Sequence, residues 1–222
     1  MRMLTKIGIF AVLAVTVLAV SAAAVPAPVA SMGVVLQATH ASVNGSPVAN
    51  HATIFSGDKL ATDNAGAVRA QFGSSQIYLF SNSNVSLSHT ANGFAADLTG
   101  GSVLLSAGAG ETFEVLADGA IVQSKSANQK TVAQISMVSP TELMLTSRQG
   151  DLQVTMGDET RTVTEGSSYR MSIAPASQPG SSPAAQAGGT GATTFTLVAV
   201  GIVAAGTGVA LWRAFESTSS TN

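Results

Sequence analysis

The chain has 222 residues, of which 10% are charged and 45% are hydrophobic, and its formal net charge is −2. Soluble domains average about 25% charged residues, so this shortage of charge predicts apolar segments that enter a membrane. The chain also has no cysteine. This excludes a disulfide-stapled scaffold and leaves a hydrophobic core to stabilise any exported domain.

Residues 1–24 predict an export signal or a signal anchor. Arg2 and Lys6 form a basic start, residues 7–20 are apolar, and residues 21–24 are small, as at a cleavage site. A cleaved signal and an uncleaved anchor both remain open at this point. Either one keeps the basic end in the cytoplasm and carries the following residues across the membrane.

The region from 33 to 173 has the hydrophobic period of β-strands. Apolar and polar residues alternate over 67–72 and again over 152–156. Asn44-Gly45 lies between two short runs and predicts a tight hairpin, because both residue types tolerate positive φ. No stretch shows the stripe of an amphipathic helix. We therefore predict a single all-β domain of about a dozen short strands, in a rolled or solenoid-like architecture.

Glycine corners are expected to separate some of these strands. Three segments place a glycine and a small polar residue before a strand, namely residues 56–62, 100–106 and 149–155. We predict structural turns at Gly57, Gly101 and Gly150, with the Asp58 carboxylate accepting hydrogen bonds from turn amides. A calcium loop would need more oxygen ligands than Asp58 and Asp63 provide. No metal or cofactor is expected.

These corner residues carry a resemblance to a known family. "VNGSPV" at 43–48, the Gly-Asp-x-Leu-x-Thr pattern at 57–62 and the strands up to residue 87 resemble the FecR-like domain, the periplasmic part of an iron-citrate signalling regulator. The resemblance covers roughly residues 33–172 and implies an all-β fold. Those regulators carry a cytoplasmic anti-sigma segment before their membrane helix. Only Met1 to Lys6 precede the apolar run here, so regulation of a sigma factor is not implied.

Three further segments follow the predicted domain. Residues 174–193 are uncharged and rich in Pro, Gly, Ser and Ala, the composition of a flexible linker. Residues 194–212 carry no charge, and as a helix they would span roughly 28 Å, about one hydrocarbon core. Trp212 and Arg213 suit the membrane interface. We predict a transmembrane helix over 194–212 and a short cytoplasmic tail over 213–222.

"QIYLFSN" at 76–82 contains the candidate partner surface. Tyr78 and Phe80 point to one side of a strand, and Ile77 and Leu79 to the other. A central strand buried on both faces is one interpretation. An exposed aromatic pair that binds a partner is the other.

Together these features predict a membrane-anchored, non-enzymatic binding or scaffold module of a bacterial envelope. Its β domain is expected in the periplasm or another extracytoplasmic space, with an envelope protein or a glycan as its partner. Eleven acidic and seven basic residues give the domain a net charge of −4, which disfavours nucleic acid.

Two alternative functions remain open. The first is an accessory sensor subunit that signals through a partner with a cytoplasmic effector. The second is an enzyme that acts on envelope polysaccharide, which would need paired carboxylates. The nearest pair is Glu111 and Glu114, and these residues point to opposite faces of a strand.

Overall fold

The computed structural model describes residues 30–172 and 196–200. The predicted export signal at 1–24, the linker at 174–193 and the tail at 213–222 lie outside the described residues. Within the described part of the chain, no helix is long and apolar enough to cross a membrane.

Sixteen β-strands and no helix make up the secondary structure of the described residues, which confirms the all-β prediction. In chain order the strands are β1 (Ser31–Val43), β2 (Ser46–Pro47), β3 (Thr53–Phe55), β4 (Lys59–Phe72), β5 (Ser75–Leu79), β6 (Asn84–Thr90), β7 (Gly93–Gly100), β8 (Ser102–Ala107), β9 (Thr112–Ala117), β10 (Ala120–Ser124), β11 (Thr131–Ser139), β12 (Glu142–Gln149), β13 (Leu152–Met156), β14 (Glu159–Val163), β15 (Ser168–Ser172) and β16 (Thr196–Val200).

All sixteen strands belong to one sheet, which divides into two layers at β4. The start of β4 pairs with β6, whereas its end pairs with β5. The first layer continues in the order β6-β7-β9-β10-β13-β14, and the second in the order β5-β8-β11-β12-β15-β16. Of the described strand pairs, β7–β9 is the parallel one. This pattern favours a rolled sheet over a solenoid, in which successive coils stack through parallel strands.

The inner faces of both layers bury a single hydrophobic core. Alternate residues point inward, as the period of two predicts. The largest contributions come from fully buried side chains of both layers, among them Leu87, Phe94, Val115 and Val154 of the first and Ile77, Leu105, Ile135 and Leu145 of the second. Burying one such side chain stabilises the fold by about 1.5–3 kcal/mol. The shared core therefore holds the two layers together.

Strand β4 bends where the layers separate, and Thr62 fixes the bend. Its side chain is buried, and its hydroxyl donates to the carbonyl of Phe80 at 2.5 Å. The same hydroxyl accepts the backbone N–H of Ser83 at 2.9 Å. The connection between β5 and β6 is thereby tied to the first third of β4, and one strand can serve two layers.

The last strand lies inside the predicted transmembrane segment. Thr196–Val200 forms β16, which pairs antiparallel with β15 and places Val198 opposite Arg170. These five residues are a strand and not part of a helix in the structure. The remaining residues of 194–212 lie outside the described part, so the transmembrane helix as a whole stays a prediction.

Thr62→Val is expected to lower the free energy of unfolding by about 2–4 kcal/mol. The valine keeps the shape but leaves the Phe80 carbonyl and the Ser83 amide unpaired, and each unpaired buried group costs about 1–3 kcal/mol. Urea unfolding of the full chain in detergent micelles measures the change. Thr62→Ser is the matched control, because it keeps the hydroxyl. Equal stability of the valine and serine variants would contradict the role assigned to the hydroxyl.

Candidate functional site: the outer face of the second layer

Tyr78 and Phe80 lie on the outer face of the second layer, away from the core. Their rings are 4.9 Å apart and meet edge to face at 73°. Both are half-buried, and they pack on Leu104 and Val132, which form a second hydrophobic cluster separate from the core. The strand is therefore neither buried on both faces nor fully exposed at its aromatic pair, and it lies between the two interpretations of the sequence. Ile77 and Leu79 are buried inward, while the aromatic pair covers a small apolar patch that faces outward. We call these four outward residues the aromatic patch.

The strand register surrounds the aromatic patch with polar side chains. Tyr78 lies between Arg69 of β4 and Leu104 of β8, and Leu104 lies opposite Gln134 of β11. A cleft of about 190 Å³ opens beside Tyr78. Its other lining residues are Gln37, Thr39, Ala67 and Arg69. The cleft is formed by β1, β4 and β5, segments that are distant in sequence.

Two arginines near the aromatic patch are held by glutamines of neighbouring strands. Arg69 donates through Nε and Nη2 to Oε1 of Gln76, at 3.2 and 3.0 Å. Arg148 donates through Nη2 to Oε1 of Gln134 at 2.9 Å. A glutamine amide oxygen is an uncharged acceptor, and these hydrogen bonds orient each guanidinium group. Sequence reasoning missed these pairs, because nothing local marks a contact between different strands.

The predicted corner residue Asp58 ties two turns together. Its Oδ2 accepts the backbone N–H of Phe55 at 2.8 Å, and its Oδ1 accepts Nδ2 of Asn44 at 2.7 Å. Oδ1 of Asn44 in turn accepts the backbone N–H of Lys59 at 3.0 Å. The carboxylate therefore joins the β1–β2 hairpin to the start of β4. Gly57, just before it, has φ +96° and open space where a side chain would begin.

Gly101 and Gly150 lie where the chain passes from one layer to the other. Gly101 joins β7 to β8 with φ +84°, and Gly150 joins β12 to β13 with φ +71°. A Cβ on Gly101 would lie 2.5 Å from Cα of Ser83. Gly101 is therefore constrained by both its backbone angle and its surroundings, whereas Gly57 is constrained by its angle alone.

The turn after Gly150 contains an aspartate, Asp151, whose pKa is lowered. Oδ1 of Asp151 accepts the backbone N–H of Glu165 at 3.1 Å, and Oδ2 accepts Nζ of Lys125 at 3.2 Å. The bond from the Glu165 backbone, followed by the bond from Lys125, lowers the pKa of Asp151 below its usual value. The carboxylate stays charged and joins three connections at this end of the fold.

The carboxylates considered for an enzyme do not share a cleft. Glu111 lines a cleft of about 320 Å³ with His89 and Asn92, and it accepts hydrogen bonds from the Ser74 amide and the Ser75 hydroxyl. Glu114 lines a different cleft, of about 290 Å³. Within the described residues, no three His, Asp or Glu side chains come together as a metal site.

Comparison with known proteins finds no matching family model and no matching curated protein. Two crystal structures of a protein from Parabacteroides distasonis, described as a "putative anti-sigma factor", resemble part of the chain with TM-scores of 0.44 and 0.43. Both are 10% identical over 52% of this chain, and the match spans 55% of those chains, about half their length. At these scores the likeness carries no argument about function.

Gly57→Ala and Gly101→Ala are expected to differ in stability, although both place alanine at positive φ. The backbone strain costs about 1–2 kcal/mol in each. Gly101→Ala should lose about a further 1–3 kcal/mol, because the new Cβ overpacks against Ser83. Thermal melting of the two variants beside the parent chain measures the difference. Equal melting temperatures would show that the layer crossing at Gly101 is looser than the structure indicates.

Proposed function

We propose that this chain is a non-enzymatic binding and scaffold module of a bacterial envelope. In this proposal the β domain lies outside the cytoplasmic membrane, the segment at 194–212 anchors it, and the aromatic patch contacts an envelope partner. The observation that carries the proposal is the aromatic patch, an apolar cluster on the outer face of the sheet and separate from the hydrophobic core.

A sheet face that meets only water is expected to carry polar residues. The inner faces of both layers already supply the core, so Tyr78 and Phe80 add little to it. The outer face of the first layer also carries apolar residues, because Leu116 and Ile121 lie between Asp97 and Thr155 along one of its cross-strand rows, but that row contains no aromatic ring. An aromatic pair on an outer face therefore favours a contact surface.

The location rests on sequence. Arg2 and Lys6 at the start, and Arg213 after the apolar segment, favour a cytoplasmic position for both ends. The resemblance of residues 33–172 to FecR-like periplasmic domains supports the same side for the β domain. The membrane is then one partner of the chain, and an envelope protein or glycan is the other.

Site-specific photo-crosslinking in living cells tests the contact. A photoreactive residue replacing Tyr78 is expected to form adducts, because the aromatic patch faces the partner. The matched control replaces Leu116, another exposed apolar residue, on the outer face of the first layer, where its side chain is 40% exposed. Adducts that are as abundant at position 116 as at 78, or absent at both, would refute the proposed surface.

Protease treatment of spheroplasts tests the topology. The linker at 174–193 should be cleaved, because it lacks charge, core residues and a strand pattern. The expected product is a protease-resistant fragment of roughly 140–150 residues, a normal size for one domain. A tag placed after Asn222 should stay protected. Digestion of that tag in intact spheroplasts would contradict the proposed orientation.

A further inference from the structure

We infer that the edge of β15, which β16 covers in the structure, binds an extended, uncharged segment of an envelope protein once the chain is anchored. The inference rests on the proposed anchoring of residues 194–212 in the membrane, and it concerns a different surface from the aromatic patch. It follows from the position of β16, from the length of the apolar segment and from the charges at the two ends of the sheet.

Strand β16 shows what kind of segment this edge binds. Its five residues pair antiparallel with β15, from Thr196 opposite Ser172 to Val200 opposite Ser168, and among the described strands β16 pairs with no other. The segment Thr-Leu-Val-Ala-Val has no charge, and three of its residues are β-branched, a composition that favours strands. Backbone hydrogen bonds supply much of the affinity when a strand is added to a sheet edge. A segment of similar composition from another chain can therefore bind in the same way.

The same residues cannot pair with β15 and span a membrane at once. The whole segment 194–212 would span roughly 28 Å as a helix, and a hydrocarbon core is about 30 Å thick. When 196–200 are held in the sheet, the twelve uncharged residues 201–212 remain, and a helix of that length spans roughly 18 Å. Anchoring therefore removes β16 from the sheet and leaves the edge of β15 unpaired.

The charges at the two ends of the sheet differ. An unpaired edge presents backbone N–H and C=O groups to any strand that approaches, and charged side chains on an edge strand discourage such pairing. The edge strand β14 carries the ion pair between Glu159 and Arg161. Strand β15 carries one charged residue, Arg170, which binds Glu142 of β12 at 3.2 Å, on the side away from β16. The edge of β15 is therefore the better acceptor for an uncharged strand.

The partner at this edge is another protein rather than a second copy of the chain. Every anchored copy holds its own residues 196–200 in the membrane, so none of them can supply this strand. The proposed location of the β domain makes an envelope protein the available partner. Val198 lies opposite Arg170 and is 56% exposed, so this position does not require a buried side chain. Recognition therefore depends on the backbone and on an uncharged composition more than on one particular sequence.

Engineered disulfides test the two states of the segment. The chain has no cysteine, and Ser172 and Thr196 lie opposite each other in paired strands, at a separation that a disulfide can bridge. The full-length Ser172→Cys/Thr196→Cys chain is synthesised cell-free, with and without liposomes of phosphatidylethanolamine and phosphatidylglycerol, and is then oxidised. We expect at least tenfold less intramolecular disulfide with liposomes. Ser172→Cys/Ala199→Cys is the matched control and should form none, because Ala199 is three residues out of register, roughly 10 Å along the strand.

A peptide tests the open edge of the anchored chain. The probe has the sequence of residues 196–200 between two lysines at each end, and the control peptide has proline at two adjacent positions of that sequence. Adjacent amides point to opposite sides of a strand, so one of the two prolines removes a donor that faces β15. The probe is expected to bind the chain in liposomes at least tenfold more tightly than the proline peptide. The oxidised Ser172→Cys/Thr196→Cys chain made without liposomes should not bind the probe, because β16 covers the edge.

Three results would overturn the inference. They are equal disulfide yields with and without liposomes, equal binding of the two peptides, and disulfides between copies when single Ser172→Cys and Thr196→Cys chains are mixed in liposomes. The last result would show that a second copy fills the edge. If the probe fails to bind while the tag after Asn222 stays protected in spheroplasts, the strand site is wrong and the proposed anchoring stands. Digestion of the tag would instead refute the anchoring itself.

Discussion

The buried hydroxyl of Thr62 is the interaction on which the two-layer arrangement depends. A strand that leaves one layer and joins another must bend, and a bend inside a sheet interrupts ladder hydrogen bonds. Thr62 replaces them with a hydroxyl that accepts from Ser83 and donates to Phe80. Because these groups are buried, water cannot substitute for the hydroxyl without opening the core. The division of the sheet therefore depends on this hydroxyl near the start of β4, together with the backbone hydrogen bonds from Thr62 to Ser83 and from Asn82 to Asp63.

That bend also positions the candidate surface. Beyond it, Val68 and Ala70 point into the core, so Arg69 between them must point outward beside Tyr78. A shift of one residue in the register of β4 would exchange the two faces and place the guanidinium in the core. Burial of the apolar side chains of β4 thus determines which of its side chains point outward. The location of Arg69 is a consequence of the same packing that stabilises the fold.

Local patterns in the sequence were sufficient to predict the all-β fold class, but they did not show which strands pair with each other. The period of two predicts β-strands and their inward residues, and Asn44-Gly45 predicts a hairpin that the structure confirms, with φ of +51° and +79°. The sharing of β4 between two layers is not visible in sequence, since its partners are chosen by long-range pairing. For the same reason, Tyr78 was identifiable as a candidate, but its neighbours Arg69 and Gln134 were not.

The outer face of the second layer contains side chains that lower the stability of the fold, and stability alone does not explain their presence. Nε of Arg148 is buried without a hydrogen-bond partner among the described residues, and an unsatisfied buried donor costs about 1–3 kcal/mol. A threonine or valine at this strand position would avoid that cost and has a higher preference for strands. The aromatic patch likewise leaves Tyr78 and Phe80 half-covered when inward positions would bury them fully. Local choices that oppose stability are expected where a surface has a task. Arg148 and the aromatic pair both lie on the outer face of the second layer, which supports the contact surface proposed there.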